Sequence, residues 1–150
     1  MIYLAGSCSS ENRTMMMRIA KTLRFYEYEV FCPFELNIPN AWDYSQEEWS
    51  QEVFNSDLAA LNEADTFIMV TPGRESTAGT NWEHGYAFAN HKRIIVAQYT
   101  EEPTSLMTWC ACDKFIHTTE ENIHTDILNA MVNTFIRPHD TKGLCSTILT

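Results

Sequence analysis

Glu83 has a sequence context that suits a reactive carboxylate. It lies in the first turns of a predicted helix, after a loop that follows a predicted strand, and Gly79 and Gly85 flank it. A helix dipole favours an acid near its N-terminus without any catalytic role. The two glycines, however, allow a backbone or a ligand to approach closely. We therefore regard Glu83 as a candidate nucleophile, with a dipole-stabilised surface acid as the alternative.

Two further side chains are candidates for chemistry. Asp57 lies inside a predicted helix, where Asp is a weak helix former, and a solvated surface residue is its default interpretation. Tyr3 lies within the first predicted strand, where an aromatic core residue is the simplest interpretation. Neither residue type is diagnostic on its own.

Hydroxyl side chains collect in three predicted loops, at residues 5–10, 72–80 and 99–107. Turns and helix caps explain each of them singly. Together they could bind a phosphate, helped by the amides of helix N-termini. Arg13 is the nearest cation, although a solvated helix face also accounts for it. The hydroxyl residues are Ser7, Ser9, Ser10, Thr77 and Ser105.

Several kinds of site are disfavoured. Residues 6–10 lack the G-x-G-x-x-G spacing of a dinucleotide-binding turn, and there is no P-loop. His84 and His91 are not spaced to share a zinc ion on one helix face, and the five cysteines have no zinc-finger spacing. Their odd number and the lack of a signal sequence predict free thiols in the cytoplasm. We expect neither a metal nor an organic cofactor.

The charge of the chain also restricts its partners. It carries 20 Asp and Glu against 10 Lys and Arg, for a formal net charge of −10. Such a surface repels a phosphate backbone, so a nucleic-acid polymer is not expected to bind. The apolar start at residues 1–6 is too short to span a membrane. A small molecule is the expected partner.

Strand and helix patterns alternate along the chain. A parallel α/β sheet wound on both faces follows from this alternation, with ligands beyond the carboxyl ends of its strands. We predict one domain over residues 1–136 and a C-terminal tail over 137–150. A long loop at 33–45 carries Phe34, Trp42 and Tyr44, which pack over the core or stack on a ring. The predicted strands are 2–5, 30–32, 66–71, 93–98 and 115–117, and the predicted helices are 11–26 with a Ser10 cap, 48–64 after a Ser45 capping box, 79–90 and 120–135.

Four blocks of the sequence, in order, resemble the nucleoside 2-deoxyribosyltransferase family. They are Tyr3-Leu4-Ala5-Gly6-Ser7, Asp57-Leu58 with Glu63-Ala64-Asp65, Gly79-x-x-x-Glu83-x-Gly85-Tyr86-Ala87, and Ser105-Leu106-Met107. The resemblance covers roughly the whole domain. It implies a flavodoxin-like or Rossmann-like doubly wound sheet of about five mostly parallel strands in three layers. It also implies a homo-oligomer in which a neighbouring subunit often completes the site.

The resemblance assigns roles to individual residues. Glu83 corresponds to the catalytic nucleophile, Asp57 to the aspartate that assists the leaving base, and Tyr3 to the tyrosine that positions sugar and nucleophile. The reaction would proceed through a deoxyribosyl ester on Glu83, and the sugar would pass to a second nucleobase. The residues expected around the substrate are Gly6, Ser7, Ser9, Arg13, Thr77, Gly79, Ser105 and Met107.

Two positions depart from the transferase pattern. Thr77 stands where these transferases place a carboxylate that grips the sugar 5′-hydroxyl, and Ser105 stands where they often have Asn. A sister group, the 2′-deoxynucleoside 5′-monophosphate N-hydrolases, has hydroxyls there, which can donate to a phosphate that an Asp would repel. Ser9, however, replaces an arginine of that group. A transferase is the first hypothesis, a monophosphate N-hydrolase the second, and a non-catalytic nucleotide sensor the third.

Overall fold

The computed structural model describes residues 1–133 and 148–149, and it contains an α/β fold. Five strands form one sheet in the order β2-β1-β3-β4-β6, and all neighbours are parallel. The strands are β1 (Ile2–Ala5), β2 (Val30–Phe31), β3 (Thr66–Thr71), β4 (Arg93–Gln98), β5 (Thr104–Ser105), β6 (Lys114–His117) and β7 (Ile148–Leu149). The helices are α1 (Arg13–Phe25), α2 (Gln46–Glu63), α3 (Ala78–Ala89), α4 (Leu106–Cys110) and α5 (Ile123–Val132).

The strands are apolar because helices cover both faces of the sheet. All residues of β1 and β3 are buried. Near-continuous apolar runs of this kind are typical of parallel sheets. The predicted bounds of β1, β3 and β4 are confirmed, whereas β2 ends before Cys32 and β6 begins at Lys114.

The layers divide the core into two clusters. On one face, Ile2 and Leu4 of β1 pack with side chains of α1 and α5. On the other face, Tyr3 and Ala5 pack with side chains of α2, α3 and α4. Alternation along β1 therefore places Tyr3 on the face that carries the helices with Asp57 and Glu83. The predicted doubly wound, three-layer architecture is confirmed.

Helix α2 begins with the predicted capping box. The Ser45 Oγ accepts from the Glu48 backbone N–H at 3.2 Å, and Glu48 Oε2 accepts from the Ser45 N–H at 2.8 Å. These bonds satisfy two donors that the helix start would otherwise leave unpaired. Trp49 in the first turn of this helix is 41% exposed. Leu61 and Ala60 near the other end make the buried contact.

The first helix starts later than its pattern predicts. The Asn12 N–H donates to Ser9 O, and the Arg13 N–H donates to Ser10 O, so residues 9–13 form turns before α1. The predicted Ser10 cap is therefore wrong, and the Asn12 side chain makes no capping bond either. The loop at 33–45 contains two single-turn 3₁₀ helices, Pro33–Glu35 and Ala41–Asp43.

Only part of the predicted C-terminal region lies within the described residues. The last predicted helix is observed as α5, and residues 134–135 of the prediction lie outside the described residues. The boundary at 136 and most of the proposed tail at 137–150 lie outside them as well. Of that tail, β7 pairs in parallel with β5, with Thr104 opposite Ile148 and Ser105 opposite Leu149. Across the described chain, the helices are all too short or too polar to cross a bilayer.

Candidate active site

Tyr3 and Glu83 meet at the carboxyl edge of the sheet. The Tyr3 hydroxyl donates a hydrogen bond of 2.6 Å to Glu83 Oε1. The Tyr3 side chain is 0% exposed, and its ring stacks between Phe31 and Phe67, with centroids 5.3 and 5.8 Å away. These two rings belong to the strands on either side of β1, directly opposite Tyr3 in the register. The hydroxyl is consequently held at one place beneath α3.

The Glu83 carboxyl titrates far above its usual range. Burial raises its pKa to about 7, the hydrogen bond from Tyr3 opposes that rise, and the charge of Asp57 adds to it. Burial also raises the pKa of Tyr3, and the neighbouring Glu83 charge raises it further. Tyr3 therefore keeps its proton at neutral pH and acts as the donor. A carboxylate near its pKa can ionise for attack without a large energetic penalty.

Asp57 is the second acid of the site and comes from α2. Burial raises its pKa to about 6. Its Oδ1 is buried and has no hydrogen-bond partner within the described residues. A buried unpaired carboxyl oxygen is unfavourable, so it is an atom that a ligand would be expected to satisfy. The charge of Asp57 contributes to the raised pKa of Glu83.

The segment from the end of β1 to the start of α1 contains four of the residues expected around the substrate. At Gly6, a Cβ atom would lie 2.8 Å from both the Sδ and the Cε of Met16, so a larger residue there would require the end of the Met16 side chain to shift. Ser7 Oγ accepts a weak bond of 3.4 Å from the Ser9 N–H. Arg13 begins α1 and is exposed. The structure thus places these four predicted residues in one segment beside the β1 end of the sheet.

Cys8 is a residue that sequence reasoning did not select for the site. It is a free thiol on the exposed side of the loop after β1. Burial of the sulfur raises its pKa, and the charges of Glu83 and Asp57 raise it further, so the thiol lies within reach of both acids. The only sequence signal was its position within the first of the three nominated loops.

Thr77 and Gly79 lie at the N-terminus of α3. The Thr77 hydroxyl accepts from the Thr80 N–H at 3.4 Å and lies 2.8 Å from the Thr80 hydroxyl. Thr77 therefore caps the helix that carries Glu83, and it remains exposed. A Cβ built on Gly79 would meet no described atom within 4 Å, so open space adjoins it. One and a half turns separate this helix start from Glu83.

Ser105 and Met107 lie elsewhere. They line a cavity of about 490 Å³ between α3 and α4, and neither Tyr3, Asp57 nor Glu83 belongs to its lining. The α3 residues of the cavity are Asn81, His84, Gly85 and Phe88. Their spacing of three and four residues defines one helix face, and Glu83 falls on a different one. Within the described chain, the predicted substrate residues therefore divide into two groups.

Gln98 organises the loop that leads to Ser105. This side chain is buried at the end of β4, and its Nε2 donates to Thr100 O at 3.0 Å and to Glu102 O at 2.6 Å. Its Oε1 accepts from the Thr104 hydroxyl at 2.5 Å. The amide thus uses both its donor and its acceptor groups on one loop. Ser105 follows directly, at a position set by these bonds.

The described residues contain no group of three or more His, Cys, Asp or Glu side chains placed to hold a metal ion. The four cysteines within that range, Cys8, Cys32, Cys110 and Cys112, are all free thiols.

The comparisons with known proteins agree on one family. The family model described as nucleoside 2-deoxyribosyltransferase matches residues 2–140. A nucleoside deoxyribosyltransferase of Lactobacillus johnsonii is 30% identical over 76 residues, which is 49% of this chain and 51% of that relative. The matched region thus spans about half the length of the curated relative.

Three solved structures have a fold similar to that of this chain. The 2-deoxyribosyltransferase from Bacillus psychrosaccharolyticus superposes with a TM-score of 0.73 at 26% identity, over 85% of this chain and 90% of that one. A CMP N-glycosidase from Clostridium botulinum has a TM-score of 0.61 at 19% identity, over 84% and 96% of the two chains. A conserved protein from Enterococcus faecalis V583 has a TM-score of 0.66 at 16% identity, over 86% and 97%. At these lower identities the last two show a shared fold.

Proposed function

The chain belongs to the nucleoside 2-deoxyribosyltransferase family, and we propose that it cleaves the N-glycosidic bond of 2′-deoxynucleosides and transfers the sugar to another nucleobase. The observation that carries this proposal is the 2.6 Å hydrogen bond from Tyr3 to Glu83. It occupies Oε1 and leaves Oε2 of the same carboxylate for attack. Such an arrangement suits a nucleophile oriented by a neighbouring group.

The first step forms an ester and breaks the glycosidic bond. An electron pair of the Glu83 carboxylate attacks the anomeric carbon, and the glycosidic pair departs with the base through an oxocarbenium-like state. A proton from Asp57 neutralises the departing base. The resulting deoxyribosyl ester holds the sugar until a second base attacks the same carbon. That attack releases the Glu83 carboxylate, and the incoming base returns its proton to Asp57.

The reaction cycle requires that Asp57 and Glu83 together carry one proton. An ionised Asp57 contributes to the raised pKa of Glu83. Protonation of Asp57 removes that contribution, so it makes Glu83 easier to ionise. The form with Glu83 charged and Asp57 neutral is the one that the first step requires. The unpaired Oδ1 of Asp57 supports a role at the base, because a ring nitrogen would give it a partner.

A neighbouring copy would supply the second group of residues. Ser105 and Met107 line the α3–α4 cavity instead of the Glu83 site of their own chain. We therefore propose a homo-oligomer in which these side chains reach the Glu83 site of a neighbour. Mixing a Glu83→Ala variant with a Ser105→Ala/Met107→Ala variant should restore activity, to about a quarter of the wild-type level if dimers re-form at random with one intact site in each mixed dimer. Failure of the mixture to exceed the sum of its parts would contradict this arrangement.

The alternative is a hydrolase acting on 2′-deoxynucleoside 5′-monophosphates. Thr77 favours it, because an exposed hydroxyl at the start of α3 can donate to a phosphate and carries no opposing charge. The same nucleophile would then pass the sugar to water. A nucleotide sensor without catalysis is the third candidate, and a buried acid pair with raised pKa values is not needed for binding alone.

One experiment separates the three functions. Base release is followed by chromatography from deoxynucleosides and from their 5′-monophosphates, each with and without a second free base. A transferase produces a new nucleoside only when the second base is present. A hydrolase produces free base from monophosphates whether or not the second base is added. Tight binding of nucleotide without any base release would support the sensor and overturn the catalytic proposal.

A further inference from the structure

His84 is the largest buried side chain of α3, and it comes directly after Glu83. The buried residues of this helix are Thr80, His84 and Ala87. The other two are small, so they restrain the helix weakly. The His84 side chain is 5% exposed. Any rotation of α3 about its own axis must therefore move the His84 ring relative to Phe67, on which it stacks.

The His84 ring belongs to a row of four stacked rings. It lies parallel to Phe67 within 11°, at a centroid distance of 6.0 Å. Phe67 stacks on Tyr3, and Tyr3 stacks on Phe31. Ring spacings of this size are in the favourable range for aromatic pairs. The row thus connects the helix that carries Glu83 to the tyrosine that binds Glu83.

A hydrogen bond holds the far side of the His84 ring. Its Nε2 lies 2.7 Å from the carbonyl oxygen of Ala111, the residue that ends α4. Burial lowers the pKa of His84, so the ring is neutral near pH 7, and the carbonyl can only accept. Nε2 therefore carries the proton and donates it. The backbone N–H of Ala111 donates to Met107 O, so the bond anchors α3 to a closed helix end.

We propose that His84 is a positioning residue whose hydrogen bond to Ala111 fixes the rotation of α3 and thereby aims the Glu83 carboxylate at the Tyr3 hydroxyl. Consecutive helix residues point about 100° apart, so a fixed His84 also fixes the direction of Glu83. Phe or Leu would fill the same buried space without this bond. The catalytic part of this inference depends on the proposed function, but its structural part does not.

Two variants separate the hydrogen bond from the packing. His84→Phe keeps a ring on Phe67 and loses the donor to Ala111, whereas His84→Gln places an amide donor near the position of Nε2. Ile127→Ala serves as the control, because it removes a fully buried side chain from α5 on the opposite face of the sheet. Thermal unfolding is used to compare the stability of the three variants.

The first readout is the titration of Glu83, measured from its side-chain carboxyl ¹³C shift. We expect His84→Phe to raise the pKa of Glu83 in the same direction as Tyr3→Phe, because both weaken the bond that opposes the rise. His84→Gln should reverse at least half of the shift, and Ile127→Ala should not alter it. An unchanged Glu83 titration in His84→Phe, or equal shifts in both His84 variants, would overturn the proposal.

The second readout is turnover. We expect His84→Phe to lower kcat about tenfold with a KM within about twofold of wild type, since a misaligned nucleophile slows the chemical step more than binding. The control should retain kcat at a temperature where it is folded. If the wild-type protein released no base at all, the proposed function would fail, and the titration of Glu83 would still decide the role of His84.

Discussion

The Tyr3 hydroxyl and the Glu83 carboxylate share a hydrogen bond of 2.6 Å, although 80 residues of sequence separate them. The bond joins the central region of the sheet to the helix after β3. It explains why Tyr3, which is fully buried on a strand, has a polar tip directed to the carboxyl edge. Its chemical consequence is that one oxygen of Glu83 accepts from Tyr3, whereas the other has no hydrogen bond among the described residues.

Removal of the Glu83 carboxylate should abolish turnover. We expect Glu83→Ala to lose at least ~10³-fold in the rate of base release, because no other group would form the glycosyl ester. Glu52→Ala, which removes an exposed acid from α2, is the matched control and should keep the wild-type rate. The measurement is single-turnover base release by folded, purified proteins. Near-wild-type turnover in Glu83→Ala would remove Glu83 from the mechanism.

Loss of the Tyr3 hydroxyl should change the pH profile. The bond from Tyr3 opposes the rise in the pKa of Glu83, so Tyr3→Phe should raise that pKa above about 7. Glu83 must be ionised to attack, and kcat/KM therefore falls on the acid side of its pKa. We expect the acid limb to move to higher pH, with a roughly tenfold loss at pH 7 and a smaller loss at high pH. A uniform loss at every pH would instead indicate a defect in binding or folding.

Asp57→Asn should slow the departure of the base. Its amide cannot supply a proton, and general-acid contributions are about 10² or more. A cationic base such as that of 7-methyl-2′-deoxyguanosine leaves without protonation, so this substrate should be affected much less. The acid limb should also move to lower pH, because the charge that raises the pKa of Glu83 is gone. Glu63→Gln on the same helix is the control, and equal losses with both substrates would contradict the assignment.

The buried acid should lower stability at high pH. The pKa of Glu83 is raised from 4.5 to about 7 in the folded protein, so its stabilising contribution is complete below pH 4.5 and is lost as the pH rises through about 7. Glu83→Gln cannot ionise and still accepts from Tyr3. It should therefore be more stable than wild type at pH 8 by about 2 kcal/mol, with a smaller difference at pH 5. Urea unfolding at both values tests this, and a pH-independent difference would refute it.

Much of the fold was predictable, because the sequence patterns that indicate its strands and helices are local. Apolar runs at 2–5, 66–71 and 93–98 became β1, β3 and β4 with the same bounds. The capping box at Ser45 has a short sequence pattern and appears as predicted. The start of α1 was not predictable, because two backbone turn hydrogen bonds, from Asn12 to Ser9 and from Arg13 to Ser10, replaced the expected Ser10 cap. The capping preferences of side chains do not indicate where backbone N–H groups will instead donate to backbone carbonyl groups.

The sequence suggested members of the candidate site, but it did not reveal their geometry. The resemblance selected Tyr3, Asp57 and Glu83 from separate segments, and the parallel register then brings Tyr3 beneath α3. The position of Ser105 and Met107 on another face of α3 required the structure, since helix packing determines it. The raised pKa values of both acids also depend on burial, which a single acidic residue in a sequence cannot reveal.

Gln98 has a consequence for how this enzyme family can be redesigned. One amide binds the carbonyls of Thr100 and Glu102 and the hydroxyl of Thr104, and the Thr100 carbonyl also lies 2.8 Å from Nε2 of His117 in β6. A loop grafted from a relative should therefore keep its shape best if Gln98, Thr100 and Thr104 are retained, because the Thr100 hydroxyl also donates to the Pro72 carbonyl. Gln98 is thus a residue of the sheet that fixes the conformation of the neighbouring loop through three hydrogen bonds.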